Sequence, residues 1–139
     1  LLNNYLNWEC IPLDYIQDQR GSIAIAEKGR HFDFDVRRIF FLSGIDSVQE
    51  RGHHAHVELR QLIFATSGSF FIDLDDGSEH VTFKIEAGGF GLLVNGLVWR
   101  TMRGFSADAV MMVLCDRIYA EDQVIREYQE FLRVLSNEK

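Results

Sequence analysis

Proline, cysteine and long apolar runs are scarce in this sequence. One proline and two cysteines occur among 139 residues. Cys10 and Cys115 lack the close spacing of paired metal ligands, and Cys115 lies in an apolar run that predicts a buried free thiol. No apolar run approaches the ~18 residues that a membrane-spanning helix needs, and no signal peptide is evident. The sequence therefore predicts a protein of the reducing cytoplasm with no membrane partner.

Positive charge is also in deficit. Fourteen basic residues stand against 21 acidic ones, which gives a net charge of −7. Nonspecific nucleic-acid binding needs a basic surface, so nucleic acid is excluded as an expected partner. An anionic small ligand is still compatible with this charge, because a few converging arginines can hold a phosphate.

The apolar residues that are present fall mainly in short runs separated by turn signals. Eleven Phe, four Tyr and two Trp favour a well-packed interior with many strand positions. The pattern predicts an all-β sandwich or barrel with one C-terminal α-helix. The predicted helix spans 121–135, with acidic residues in its first turn. The predicted strands are 11–16, 22–27, 36–42, 55–59, 62–66, 69–74, 81–85, 91–94, 98–103 and 109–114.

One domain is expected for a chain of this length. Residues 1–10 show no clear period and are predicted to be an N-terminal arm or linker. Residues 11–139 are predicted to form the folded domain. The chain begins with Leu1, so we also expect that it can be part of a longer polypeptide.

The segment RGHHAHVELRQ (51–61) carries the strongest chemical signal. His54 and His56 are two residues apart in a predicted strand, so their imidazoles should lie side by side on one face, with His53 on the other. Such a pair suits a base, a proton shuttle or a metal clamp. A purely structural pair is the alternative; neighbouring Arg51 and Arg100 favour a catalytic role, because nearby positive charge keeps an imidazole neutral and able to take a proton.

A metal site is the other alternative. Metal-binding cupins often combine an H-x-H pair with a nearby Glu and a later His. Here Gln61 takes the carboxylate position, and Trp99-Arg100 occupy the place expected for the later His. An amide is a weak ligand and a guanidinium repels a cation, so we expect no metal and no other cofactor.

The remaining histidines and arginines give weaker signals. His31 and His80 lie in turn-like or edge contexts and are predicted to be solvated. Arg20, Arg37 and Arg38 lead toward one mouth of the predicted barrel and could together bind a diphosphate.

Several motifs in order resemble the sugar 3,4-ketoisomerases that act on dTDP-4-keto-6-deoxyglucose, within the cupin superfamily. The resemblance extends over about residues 14–131. It is carried by DQRGSI (18–23), VRRIFFL (36–42), RGHHAHVELRQ (51–61), LDDG (74–77), FGLLV (90–94), VWRTM (98–102), FSADAVMMVL (105–114) and YAEDQVIREYQEF (119–131).

This resemblance implies a cupin-type small β-barrel (a jelly-roll sandwich) with one C-terminal α-helix. It also implies a metal-free homodimeric isomerase that supplies a 3-keto sugar to an aminotransferase for surface polysaccharides such as the O-antigen of lipopolysaccharide. Some family members are fused to an acetyltransferase. The reaction removes the C3 proton, passes through an enediol and returns a proton at C4. Matching positions imply His56 as principal base, His54 as orienting partner or proton shuttle, and Arg100 as a cationic group near the sugar.

Other matches imply substrate contacts from Arg20, Arg38, Phe40, Arg51, Gln61 and Trp99. Phe40 departs from the family pattern, which generally has Tyr there. Arg20 resembles the branch of the family whose 3-keto product has the galacto configuration, and Arg100 resembles the branch with the gluco product. The configuration of the product is therefore left open, with a slight preference for the galacto form. A noncatalytic module that binds nucleotide sugars and a metal-dependent cupin enzyme are the competing hypotheses.

Overall fold

The computed structural model describes residues 5–138 and consists of strands with one C-terminal helix. The elements are β1 (Trp8–Pro12), β2 (Asp14–Asp18), β3 (Gly21–Ile25), β4 (Arg38–Ser43), β5 (Arg51–His56), β6 (Arg60–Ser67), β7 (Ser69–Asp75), β8 (His80–Glu86), β9 (Phe90–Asn95), β10 (Trp99–Arg103), β11 (Val110–Cys115), a 3-10 turn (Tyr119–Glu121), β12 (Val124–Ile125) and α1 (Tyr128–Glu138).

Two five-stranded antiparallel sheets form the body of the fold. The first has the order β1-β9-β6-β11-β4 and the second the order β12-β5-β10-β7-β8. β2 and β3 form a separate hairpin. This arrangement confirms the predicted all-β jelly-roll sandwich with one C-terminal helix.

The main core lies between the two sheets. In β7 and β11, for example, residues on alternate positions, including Ile72 and Val113, are fully buried there. This alternation is the expected pattern when one face of each sheet packs on the other. Toward one end of the sandwich the same inner faces carry polar side chains, which are described below.

Different parts of the chain pack on the outer faces of the two sheets. Phe32 and Phe34 pack on the first sheet beside Leu62, Leu93 and Leu114. α1 packs on the second sheet through Phe131, which contacts Trp99 and Tyr128. His31, predicted to be solvated, is instead buried, because its Nδ1 accepts a hydrogen bond (2.9 Å) from the Glu27 amide.

The N-terminal boundary differs from the sequence prediction. Trp8, Glu9 and Cys10 were expected in the arm of residues 1–10, but they belong to β1 and pair with β9. The predicted strand 11–16 is likewise two strands, β1 and β2, separated at Leu13. Of the predicted arm, residues 1–4 lie outside the described residues.

The C-terminal helix begins later than predicted. It starts at Tyr128 and not at Glu121, because Val124 and Ile125 form β12 and pair with His56 and Ala55 of β5. The apolar stripe of the predicted helix was therefore partly a strand. This correction places Asp122 beside the histidine pair. Among residues 5–138, no helix is long and apolar enough to cross a membrane.

Candidate active site

A cavity of about 470 Å³ opens between the two sheets and contains most of the predicted site residues. β4, β5, β6 and β10 supply the walls, and the segment between β11 and α1 closes one side. The lining residues are Arg38, Phe40, Leu42, Arg51, Gly52, His54, His56, Gln61, Ile63, Arg100, Met102, Met111, Tyr119, Asp122, Val124 and Arg126.

A β-bulge in β5 precedes the histidine pair. Arg100 of β10 pairs with His54, but the next residue, Thr101, pairs with Gly52, so His53 is the extra residue. Gly52 has φ 95° and His53 has φ 55°. A side chain at Gly52 would meet the Arg100 carbonyl oxygen at 2.8 Å, which explains the glycine.

His54 and His56 lie on the same face of β5, as predicted. Their Nε2 atoms are 3.0 Å apart, and the two rings meet edge to face with centroids 4.7 Å apart. A distance of 3.0 Å requires one proton between the two nitrogens. The two imidazoles can therefore exchange a proton directly.

Asp122 links His56 to Arg38. Its Oδ1 lies 2.9 Å from His56 Nδ1, and its Oδ2 accepts a hydrogen bond from Arg38 Nη2 at 3.1 Å. The side chain of Asp122 is only 6% exposed. The Arg38 guanidinium also lies 5.8 Å from the ring centroids of both Phe40 and Tyr119. The packing on both rings limits where the guanidinium can move.

Arg100 is a buried cation on β10, the strand that pairs with β5, where it lies next to His54 in the register. Its Nη1 donates to Gln61 Oε1, and its Nη2 donates to the Val98 carbonyl at 3.0 Å. Gln61 in turn contacts Cys115 Sγ at 3.7 Å. Burial lowers the pKa of Arg100 to about 10, with Asp122 and Cys115 opposing the shift, so Arg100 is charged at neutral pH.

The environment keeps both histidines neutral. Burial, followed by the charge of Arg100, lowers the pKa of His54 to about 4. The same two causes lower the pKa of His56, although Asp122 opposes them. Burial acts to raise the pKa of Asp122, but hydrogen bonds from His56 and Arg38 outweigh it and hold that pKa below its usual range. At neutral pH the lining of the cavity therefore includes two neutral imidazoles and one carboxylate, beside the guanidinium groups of Arg38, Arg51, Arg100 and Arg126.

Seven of the nine predicted site residues line this cavity. They are His54, His56, Arg100, Arg38, Phe40, Arg51 and Gln61. Gln61 is 2% exposed, and its amide binds Arg100 and Cys115, so these contacts hold it in the wall of the cavity.

Two predicted residues lie elsewhere. Trp99 precedes Arg100 on β10, so its side chain points to the opposite face, where it packs on Tyr128 and Phe131. Arg20 lies at the β2–β3 turn, where its highly exposed side chain pairs with Asp18 at 2.6 Å. Neither residue contacts the cavity of its own chain.

Sequence reasoning missed Asp122, Tyr119 and Arg126, which also line the cavity. Asp122 lies 66 positions from His56 and was assigned to the first turn of a helix. The available signal was the Val124–Ile125 pair, which suits a strand at least as well as a helix. Within the described range 5–138, no group of three His, Cys, Asp or Glu side chains is arranged to hold a metal ion.

Comparison with known proteins gives consistent matches over almost the whole chain. The family model described as "FdtA: WxcM-like, C-terminal" matches residues 6–136. A curated relative, the TDP-4-oxo-6-deoxy-alpha-D-glucose-3,4-oxoisomerase of Aneurinibacillus thermoaerophilus, is 34% identical over 121 residues, which are 87% of each chain.

Solved structures show the same fold. A histidine-to-asparagine mutant of the 3,4-ketoisomerase QdtA from Thermoanaerobacterium thermosaccharolyticum, in complex with TDP-4-keto-6-deoxyglucose, has a TM-score of 0.89 at 27% identity, covering 96% of both chains. A 3,4-ketoisomerase from Helicobacter canadensis has a TM-score of 0.87 at 32% identity, covering 95% of this chain and 99% of its own.

Proposed function

The chain belongs to the FdtA family of WxcM-like sugar 3,4-ketoisomerases, and from this membership we propose that it converts dTDP-4-keto-6-deoxyglucose to a dTDP-3-keto-6-deoxyhexose. The chain is an isomerase that moves a keto group along a hexose ring. The observation that carries the assignment of roles is the pair of neutral imidazoles, one buried and one half-buried, that shares a cavity with a buried guanidinium.

The reaction begins with removal of the C3 proton by His56. The adjacent C4 ketone acidifies this proton, and the electron pair of the C3–H bond becomes the C3–C4 double bond of an enediolate. The former ketone oxygen at C4 takes the negative charge. Arg100 stabilises that charge, because a cation fixed in a dry cavity acts more strongly than one in water.

The second half of the reaction returns a proton to carbon. The proton of the C3 hydroxyl moves to the oxygen at C4, the C3–O bond becomes the new ketone, and C4 receives a proton from the histidine pair. His54 serves as the shuttle, because its Nε2 lies 3.0 Å from that of His56. The pair ends with the number of protons with which it began.

Positive side chains provide a site for the diphosphate. Arg38, Arg51 and Arg126 line the cavity together. Guanidinium groups bind phosphate oxygens through charge-assisted hydrogen bonds, often two at a time. Phe40 lines the same cavity and offers a ring without a hydroxyl.

A time course in D₂O tests the proposal. NMR of dTDP-4-keto-6-deoxyglucose with the protein should show loss of the C3 proton signal and deuterium at C4, at the same rate with and without EDTA. His56→Asn should reduce this conversion at least 100-fold. His53→Asn is the matched control, because His53 is exposed, pairs with Glu50 and has a φ that asparagine tolerates.

Each contrary result has a definite meaning. Binding of dTDP without conversion would identify a noncatalytic nucleotide-sugar module. Conversion that EDTA abolishes would identify a metal-dependent cupin. Full activity of the His56→Asn variant would remove His56 from the mechanism.

The active form in this proposal is a cytoplasmic homodimer. Ile39 and Phe41 lie on β4, the edge strand of the first sheet, and are 51% and 65% exposed. Apolar side chains on an unpaired edge favour contact with a second copy. In such a dimer, Arg20 can contribute only to a neighbouring cavity. Light scattering should give twice the mass of the chain, and Phe41→Lys should shift the protein toward monomer.

A further inference from the structure

Asp122 is the one carboxylate that contacts the histidine pair directly in the described part of the chain. It comes from a segment that β12 fixes against β5: Val124 pairs with His56, and Asp122 lies two residues earlier. The main chain is tied at this point, because the Val57 amide donates to the Gln123 carbonyl at 3.0 Å. The position of this carboxylate is therefore set by sheet pairing and not by a mobile loop.

The contact determines where His56 carries its proton. A carboxylate accepts hydrogen bonds and cannot donate one. The 2.9 Å contact with Asp122 therefore requires the proton of neutral His56 to be on Nδ1. Its Nε2 then has the lone pair, so the proton between the two rings is carried by His54 Nε2. This contact has to open when substrate binds, so that His56 Nε2 can take a proton from carbon.

Arg38 fixes the carboxylate from its other side. It holds Oδ2, while Oδ1 remains for His56. Because each oxygen of Asp122 has its own cationic or N–H partner, the carboxylate has little freedom to turn away from the imidazole.

We propose that Asp122 is a positioning residue of the isomerase: it holds His56 in the tautomer whose Nε2 accepts the proton, and it stabilises the imidazolium that forms. The proposal rests on the function proposed above. It adds that the proton-accepting atom is His56 Nε2, and that Arg38 acts on the reaction through Asp122 as well as on the ligand.

The test compares Asp122→Asn with Glu121→Gln. The amide of the first variant can accept from His56 Nδ1 or donate to it, so the tautomer is no longer fixed. We expect kcat to fall at least 100-fold, with KM changed less than threefold, because asparagine keeps the size and shape of the side chain while the state of His56 changes. Glu121 is the neighbouring carboxylate, but it pairs with Arg37 at 3.1 Å and is exposed, so its variant should behave like the wild type.

NMR of protein with ¹⁵N-labelled histidine gives a readout that does not depend on turnover. In the wild type, the His56 ring should show a protonated Nδ1 and an unprotonated Nε2. In Asp122→Asn, the signals should shift toward a mixture of the two tautomers. Folding of each variant is checked by circular dichroism and thermal unfolding.

Two results would overturn the proposal. One is a wild-type spectrum in which His56 carries its proton on Nε2. The other is an Asp122→Asn variant that retains kcat within twofold. If the wild type shows the expected tautomer but does not convert the dTDP-linked keto sugar, the proposed function fails while the assignment of the tautomer to Asp122 stands.

Discussion

The two faces of β10 are built for different purposes. Arg100 points inward to a cavity where buried polar atoms lack partners: among residues 5–138 these include Arg100 Nε, Arg38 Nε and His54 Nδ1. Trp99, its neighbour in sequence, points outward into a cluster of rings with Tyr128 and Phe131. The inward face accepts unpaired polar atoms, and the outward face is closely packed.

This contrast indicates that the two faces of β10 have separate roles. Residues on the outer face stabilise the fold, and residues on the inner face serve the reaction. Buried polar atoms without partners are unfavourable for folding, and they persist where a ligand or a reaction uses them. The apolar cluster under α1 has no such atoms, and its one buried carboxylate, Asp75, accepts hydrogen bonds from Tyr128 and the Gly77 amide. Mutations on the two faces should therefore change different properties.

The largest effect on stability is expected from Phe131→Ala. Phe131 is fully buried between α1 and β10, and removing such a ring lowers the free energy of unfolding by about 3–5 kcal/mol. Urea unfolding followed by tryptophan fluorescence measures the loss. Turnover per folded molecule should stay close to that of the wild type, and a comparable loss of turnover would remove the separation of the two faces. Arg133→Ala, on the exposed side of α1, is the control.

The opposite outcome is expected from Arg100→Met. Removing one cation from the wall of the cavity should lower kcat about 10²–10³-fold. Stability should change less than in the Phe131 variant, because the loss of two hydrogen bonds is offset by removal of a buried charge. Arg103→Met is the matched control on the same strand, since Arg103 pairs with Asp73 at the surface. Equal kcat values for the two variants would contradict the role of Arg100.

A smaller effect on the cavity side is expected in the pH dependence of the free energy of unfolding. The pKa of His54 is about 4 in the folded chain, against 6.5 for an unperturbed imidazole. Between these values the unfolded chain binds a proton that the folded chain does not. The stability associated with neutral His54 is therefore fully present above pH 6.5 and is lost as the pH falls toward 4.

Urea unfolding at pH 7.5 and pH 5 measures this dependence. His54→Asn should weaken it, with a residual slope from His56, whose pKa is shifted in the same direction. If the free energy of unfolding of the variant changes with pH as much as that of the wild type, His54 is not the source of the pH dependence. The acid limb of turnover should lie well below pH 6.5 for the same reason.

The smallest effect is expected from Tyr128→Phe. This change removes the hydrogen bond from the Tyr128 hydroxyl to Asp75 Oδ2 (2.5 Å) and leaves the ring in place. The free energy of unfolding should fall by about 1 kcal/mol, and turnover should not change. A loss of turnover here would show that α1 influences the cavity through β10.

Much of the fold could be predicted because its signals are local. The alternation in β7 and the Asp-Asp-Gly turn that follows it place strands correctly from a few residues. The histidine pair is equally local, since a spacing of two in a strand puts both rings on one face. Arg100 was found because the family resemblance carried it, and its wall position agrees with that assignment.

The sequence predictions that were wrong, and the site residue that was missed, share a different cause. β12 was assigned to a helix because Val124 and Ile125 continue a helical stripe by coincidence, and only pairing with β5 reveals the strand. Trp99 was placed with the substrate although alternation along β10 sends its side chain to the face opposite Arg100. No local pattern identifies Asp122 as a site residue, because its contact is with His56, 66 positions away in the sequence. Tertiary pairing decides such positions, and local sequence does not encode it.

Because of the bulge at His53, the number of residues between Arg51 and His54 decides which side chains of β5 line the cavity. Arg51 and His54 are three positions apart, and regular alternation would send them to opposite faces of β5. The extra residue restores the phase, so both line the cavity. Deletion of His53 would place Arg51 two positions from His54, and regular alternation would then keep both side chains on the cavity face without a bulge. Pairing all four residues from Arg51 to His54 without a bulge would instead turn Arg51 away from the cavity, so the length of this segment and its positive-φ residues, Gly52 and His53, must match each other.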